Sequence, residues 1–230
     1  MAPALRLAVS AALAALALAS ASAPSAAPPC YGPFNHTFKL ETPCFKVLAA
    51  AGDLSVREFV GGRLVTLVEK AIASSVTVYQ EAVTIGTYDV LAYFLGALNS
   101  RNESLLASRT VPLVVRPPTP QHDDWLVRMA LAPSLWPAAR ARVPPRPGYN
   151  VTLAPLGSAP VAVQYKLFEL SPQPEDLAAL CKTLEANLAA LGGWAVDAAS
   201  PATYSYAFYS GYTFYDGPWD VECWAGVVPA

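Results

Sequence analysis

Cys30, Cys44, Cys181 and Cys223, with His36 and His122, are the scarce reactive side chains of this sequence, and their spacing limits the chemistry open to it. No two cysteines form a CxxC pair and only two imidazoles are present, so a zinc site lacks its usual ligand set. Two disulfides are the favoured reading. Four thiols admit three pairings, and a mixture of free and bonded thiols is also open. Cys30 with Cys44 and Cys181 with Cys223 is preferred: the first pair closes a short terminal loop and the second can tie a helix to the last strand, although loop length alone does not decide it. His36 falls inside an Asn-X-Thr triplet, and His122 falls in PQHDDW, where Asp123 and Asp124 would raise its pKa if close. Nothing nearby orients either imidazole, so both read as exposed loop residues. There is no nucleophile elbow, P-loop, dinucleotide fingerprint, HExxH or EF-hand loop. Nothing in the sequence brings a serine or carboxylate to a base, and the chain is read as not an enzyme.

The compartment follows from the first residues. Residues 1–23 read as a signal peptide, with Arg6, an apolar run from Leu7 to Ala19 and the small-residue site Ala21-Ser22-Ala23. That run is shorter than the ~20 residues a bilayer span needs, so no transmembrane anchor is expected after cleavage. Residues 24–40 read as a flexible segment rich in Pro, Ala and Ser at its start. Asn35, Asn102 and Asn150 each open an Asn-X-Ser/Thr triplet, so a secreted or secretory-pathway glycoprotein is expected. With a net charge of -2 and 14% charged residues, nothing favours nucleic acid or an anionic membrane as partner. With 54% hydrophobic residues, any ligand should be met by shape and apolar contact.

Periodicity supplies the elements that must position a site. CFKVLAAAG and LSVREFVGGRLVTLVE read as strands with turns at Ala51-Gly52-Asp53 and Gly61-Gly62. A helix is expected over 80–98, with Tyr88, Leu91, Leu95 and Leu98 as its stripe. TVPLVV, WLVRMALAP, YNVTLAP and PVAVQYKLF read as further strands. A second helix is expected over 172–191, capped by Ser171, closed by Gly192-Gly193 and striped with Leu177, Leu180, Cys181, Leu184, Leu188 and Leu191. Aromatic strands follow near 204–209 and 219–227. Strands then helix, twice, is an α+β arrangement of two similar halves, closing either into one distorted antiparallel barrel or into two facing sheets. In DLSVREFVGG, alternation points Arg57 and Glu58 to opposite faces, so one should meet solvent and the other a partner from a neighbouring element.

Taken in order, ETPCFKVLAAAGDLSVREF, YDVLAYFLGALN, RTVPLVV, VPPRPGYNVTL, PVAVQYKLF and WDVECW resemble the segments of the SOUL/haem-binding protein family. The resemblance implies one domain over 41–228, an α+β distorted antiparallel β-barrel of about eight strands flanked by two main helices in two pseudo-repeats. It also implies haem or another tetrapyrrole in an apolar cleft beside the first helix. Matching that helix places Ile85, Tyr88, Ala92 and Tyr93 at cleft positions, with Arg109 as a substitute cation. Ile85 and Tyr93 stand where haem-binding members often carry basic side chains, and no histidine falls on this helix. The expectation is a secreted, non-catalytic tetrapyrrole binder whose partner is a small planar apolar ligand. The alternative is an apolar small-ligand or protein-interaction module on the same fold without haem affinity. An enzyme acting on a tetrapyrrole would need a convergent cluster of titratable groups that the sequence does not display.

Overall fold

The structure is a computed structural model and describes residues 30, 42–60, 66–73, 79–105, 109–131, 143–198, 204–209 and 218–230, with the side chains of 109–111 left aside. The expected signal peptide, the rest of the 24–40 segment with Asn35 and His36, and the Gly61-Gly62 turn lie outside the described residues.

The chain is α+β. Strands β1 (Phe45–Ala51), β2 (Leu54–Phe59) and β3 (Thr66–Ala73) lead to helix α1 (Tyr79–Phe94). Then come β4 (Arg109–Arg116), β5 (Asp124–Leu131), β6 (Val151–Pro155) and β7 (Val161–Phe168), helix α2 (Pro174–Leu191), and β8 (Trp194–Val196), β9 (Ser205–Phe208) and β10 (Trp219–Pro229). All the ladders are antiparallel. The strands run in the order β1-β2-β7-β10-β9-β4-β5-β3-β6, with β8 pairing the far end of β10. Among the described residues the ends of this path, β1 and β6, do not pair, and the sheet is a curled half-barrel, the distorted antiparallel barrel expected, flanked by the two helices. Leu156, just beyond β6, packs against the cluster that holds Phe59 of β2, so side chains bridge the gap.

Period-two alternation gives the sheet two buried faces. On the outer face, Leu54, Val56, Val68, Val115, Val127, Met129 and Val221 form the main core with the helices. Helix α1 lies on β3 and β5 and helix α2 on β7, β10 and β8, so each helix covers its own half of the sheet. The inner face holds Phe59, Val114, Val163, Ala207 and Trp224 as a second cluster.

Helix α2 buries the expected stripe, with Leu191 half-buried at its end. Its cap is Gln173 and not Ser171: Pro174 takes the first helical position and the Gln173 N–H donates to Asp176 Oδ2 at 3.0 Å. Helix α1 differs more. It ends at Phe94, and it buries Ala82, Gly86, Val90, Tyr93 and Phe94, while Tyr88 and Leu95 of the expected stripe are exposed. Tyr88 and Leu95 share the outward side with Gln80, Glu81 and Thr84, so apolar residues lie on both sides of the helix and leucine spacing alone picks the wrong face. The choice is steric: a Cβ on Gly86 would stand 2.3 Å from Val127 Cγ2, which marks the close approach of α1 to β5. The short β8 was not anticipated in the sequence.

Both disulfides form in the preferred pairing, Cys30–Cys44 and Cys181–Cys223. The second joins α2 to β10 as expected. Disulfides persist in oxidising compartments. Among the described residues no helix is long and apolar enough to cross a membrane.

Candidate functional site

The inner face of the curl combines apolar packing with buried charge. On β5, alternation sends Arg128 and Ala130 inward while Val127, Met129 and Leu131 join the outer core. Register places Glu69 of β3 directly opposite Arg128, and Ser205 at the start of β9 faces it from the other side. Between these strands lies a cavity of about 210 Å³, lined by Phe59, Leu67, Val114, Leu156, Val161 and Trp224 with Arg128 and Ser205 among its polar groups.

Arg128 Nη2 donates to Ser205 Oγ at 3.2 Å, and Nη1 stands 3.9 Å from Glu69 Oε1. The second distance is beyond hydrogen-bonding range, and Nε has no acceptor. Burial raises the Glu69 pKa above the usual carboxylate value, opposed by the positive charges of Arg128 and Arg116. Burial lowers that of Arg128, which Glu69 opposes and Arg116 reinforces. Arg116 is itself held by Asp124, Nη2 to Oδ1 at 2.5 Å.

A second polar group closes the other part of the inner face. Glu222 is wholly buried; its Oε2 accepts from Tyr209 Oη at 2.7 Å and Trp224 Nε1 at 2.8 Å, and Oε1 lies 2.9 Å from Arg57 Nη1. Arg57 Nε donates to Ser55 Oγ at 2.9 Å, and its guanidinium lies 4.4 Å from the centre of the Phe45 ring. The Arg57–Glu222 charge pair, with the hydrogen bonds of Tyr209 and Trp224 to Glu222, reads as a latch between β2 and β10.

No protein-family model and no curated protein matches the chain. Among solved structures, a hydrolase from Listeria innocua is similar over 79% of this chain and 94% of its own, at 13% identity and a TM-score of 0.40. That finding corrects the expectation that the chain is not an enzyme, which is withdrawn. The hydrolase's activity is that protein's own, and a likeness of this size carries no argument about this chain's chemistry.

The residues expected at a tetrapyrrole cleft are not brought to the cavity. Ile85 and Tyr88 lie on the solvent side of α1, 39% and 51% exposed, with Ala92 half-buried one turn on. Tyr93 departs from that row: it is fully buried and its hydroxyl donates to the Val143 carbonyl at 2.6 Å, so it packs in the core. Arg109 opens β4, and its side chain is outside the description. Lys70, the last cation before α1 in sequence, is held by Asp89 of that helix at 2.6 Å and by the Tyr149 carbonyl at 2.8 Å. Asn102 and Asn150 are exposed, and Asn102 Oδ1 accepts from Arg146. His122 is half-buried in a turn, where its N–H and carbonyl pair with Thr119. Sequence reasoning missed Arg128, Glu69 and Ser205. The one signal was a charge in the middle of WLVRMAL, the kind of interruption that also marked Arg57.

Proposed function

We propose that this protein binds a small apolar ligand inside its curled sheet, on a SOUL-like fold, in the secretory pathway or outside the cell. The cavity carries this reading: apolar side chains from both ends and the middle of the sheet converge on about 210 Å³. Pockets for drug-sized ligands run at roughly 300–1,000 Å³, so the occupant is smaller than these and much smaller than a tetrapyrrole. Hexan-1-ol should bind the purified protein saturably by ligand-detected NMR. Ala130→Leu, which fills the cavity from β5, should abolish that binding while the protein stays folded. Equal binding by both proteins would refute the reading.

The tetrapyrrole reading is favoured by one observation. Ile85 and Tyr88 on the outside of α1, with Leu95 just past its end, form an apolar row, 39%, 51% and 55% exposed, against which a flat ring could lie. The propionates fit less well, because α1 carries no Lys or Arg and Lys70 is paired with Asp89. A saturable Soret shift with hemin at micromolar concentration would support this site, and its absence would remove it.

The compartment is supported by the two disulfides and by the exposure of Asn102 and Asn150, which lie at positive φ of 54° and 51° in loops. Protein from a eukaryotic secretory host should lose mass on treatment with an N-glycanase. An unchanged mass would count against that compartment.

A further inference from the structure

We infer that the ligand carries a carboxylate, held by Arg128 at the polar end of the cavity. This rests on the reading that the cavity is a ligand site, and adds the chemical class of what enters it.

The inner face supplies its own comparison. Arg57 and Arg116 hold carboxylate oxygens at 2.9 Å and 2.5 Å, and their side chains keep 9% and 7% of their surface accessible. Arg128 has its nearest carboxylate oxygen at 3.9 Å and keeps 22%. Of the three, Arg128 alone lines the cavity. A latch pulls its partners into contact, as the other two do. Arg128, bonded among the described residues to Ser205, instead lines an otherwise largely apolar space, and what sets it apart is the 3.9 Å gap to Glu69, since Arg116 Nε is as unbonded as its own.

A guanidinium offers five donors in a planar fork that matches the two oxygens of a carboxylate. Ser205 adds a hydroxyl that accepts from Arg128 and keeps its own proton to donate. A ligand without an acceptor would leave these donors dry, which is unfavourable in an apolar surround. Glu69 does not fill the role, because its oxygen stops short of hydrogen-bonding distance and its charge is itself disfavoured by burial. At ~30 Å³ per water-sized group, about 210 Å³ admits roughly seven groups, which suits a straight-chain carboxylate of about five or six carbons.

The test compares hexanoate with hexan-1-ol on the full-length protein at pH 7 by titration calorimetry. Charge-assisted hydrogen bonds predict that hexanoate binds about tenfold tighter or more. Arg128→Met should remove that preference, weakening hexanoate about tenfold or more and hexan-1-ol much less, since the alcohol loses only a neutral hydrogen bond. If Arg128→Met does not fold, Arg128→Met with Glu69→Gln avoids a lone buried carboxylate, and Ser205→Ala should lower hexanoate affinity alone. Equal binding of the two probes, binding of the alcohol only, or a preference that survives the Arg128 variants overturns the carboxylate and leaves the cavity reading standing. Binding of neither probe overturns both.

Discussion

Arg57 on β2 reaches past β7 to Glu222 on β10, Nη1 to Oε1 at 2.9 Å, with the carboxylate wholly buried. Glu58, its neighbour in sequence, is exposed and lies opposite Lys46 of β1. The arginine fastens two strands that are not neighbours, and Tyr209 and Trp224 complete the bonding of Glu222. Arg57→Met should therefore destabilise the fold by about 3–5 kcal/mol in denaturant unfolding, because it leaves an uncompensated buried charge. Arg57→Met with Glu222→Gln should recover part of that loss. A single variant as stable as the parent would mean that the pair contributes nothing.

How much of this was legible depends on whether a pattern has one reading. The two faces of DLSVREFVGG were readable because alternation is a local property, and the structure puts Leu54 and Val56 in one cluster and Phe59 in the other. The stripe of α2 was readable because polar residues interrupt it on every turn. Helix α1 carries apolar residues on its outward side among Gln80, Glu81 and Thr84, so Tyr88 and Leu95 were assigned to its packed face and stand exposed instead. The cavity was not legible at all. Arg128, Glu69 and Ser205 come from three separate stretches, and only strand order and register bring them together.

The approach of α1 to β5 rests on one missing side chain. A Cβ on Gly86 would stand 2.3 Å from Val127 Cγ2 and 2.6 Å from Val127 Cβ. Gly86→Ala gains about 1 kcal/mol of helix propensity, but overpacking of this kind costs about 1–3 kcal/mol and forces the helix to move. The expected outcome is a lower midpoint of thermal unfolding. Adding Val127→Ala should restore only part of it, since the Cβ contact remains. A raised midpoint for Gly86→Ala alone would mean that the helix sits further from the sheet.

The two disulfides should differ in what they contribute. Cys181–Cys223 spans 42 residues and joins buried positions on α2 and β10, whereas Cys30–Cys44 spans 14. Loop-closure entropy alone favours the longer crosslink by about 1 kcal/mol, and loss of a native disulfide commonly costs about 2–5 kcal/mol. Cys181→Ala with Cys223→Ala should thus be the more damaging pair by urea unfolding, with two buried sulfurs also lost from the core. The reverse order would place the weight of the fold at its amino-terminal end.

Alkaline pH should loosen the protein through tyrosines that cannot ionise where they are. Burial pushes the Tyr93 hydroxyl up from 10.0 to about 12, and raises Tyr209 well above the ordinary value, where Glu222 adds to the rise. A folded pKa above the unfolded one gives stability that is complete below about 10 and lost as the pH climbs towards the folded value. Stability measured between pH 9 and pH 12 should therefore fall, with absorbance at 295 nm rising in the same transition. Tyr93→Phe should remove part of that slope and leave the part due to Tyr209. At neutral pH the same substitution should cost about 1 kcal/mol, because the Val143 carbonyl loses its donor. If Tyr93 ionised while the fold persisted, its hydroxyl would have to be open to solvent, which contradicts its packing between α1 and the Val143 segment.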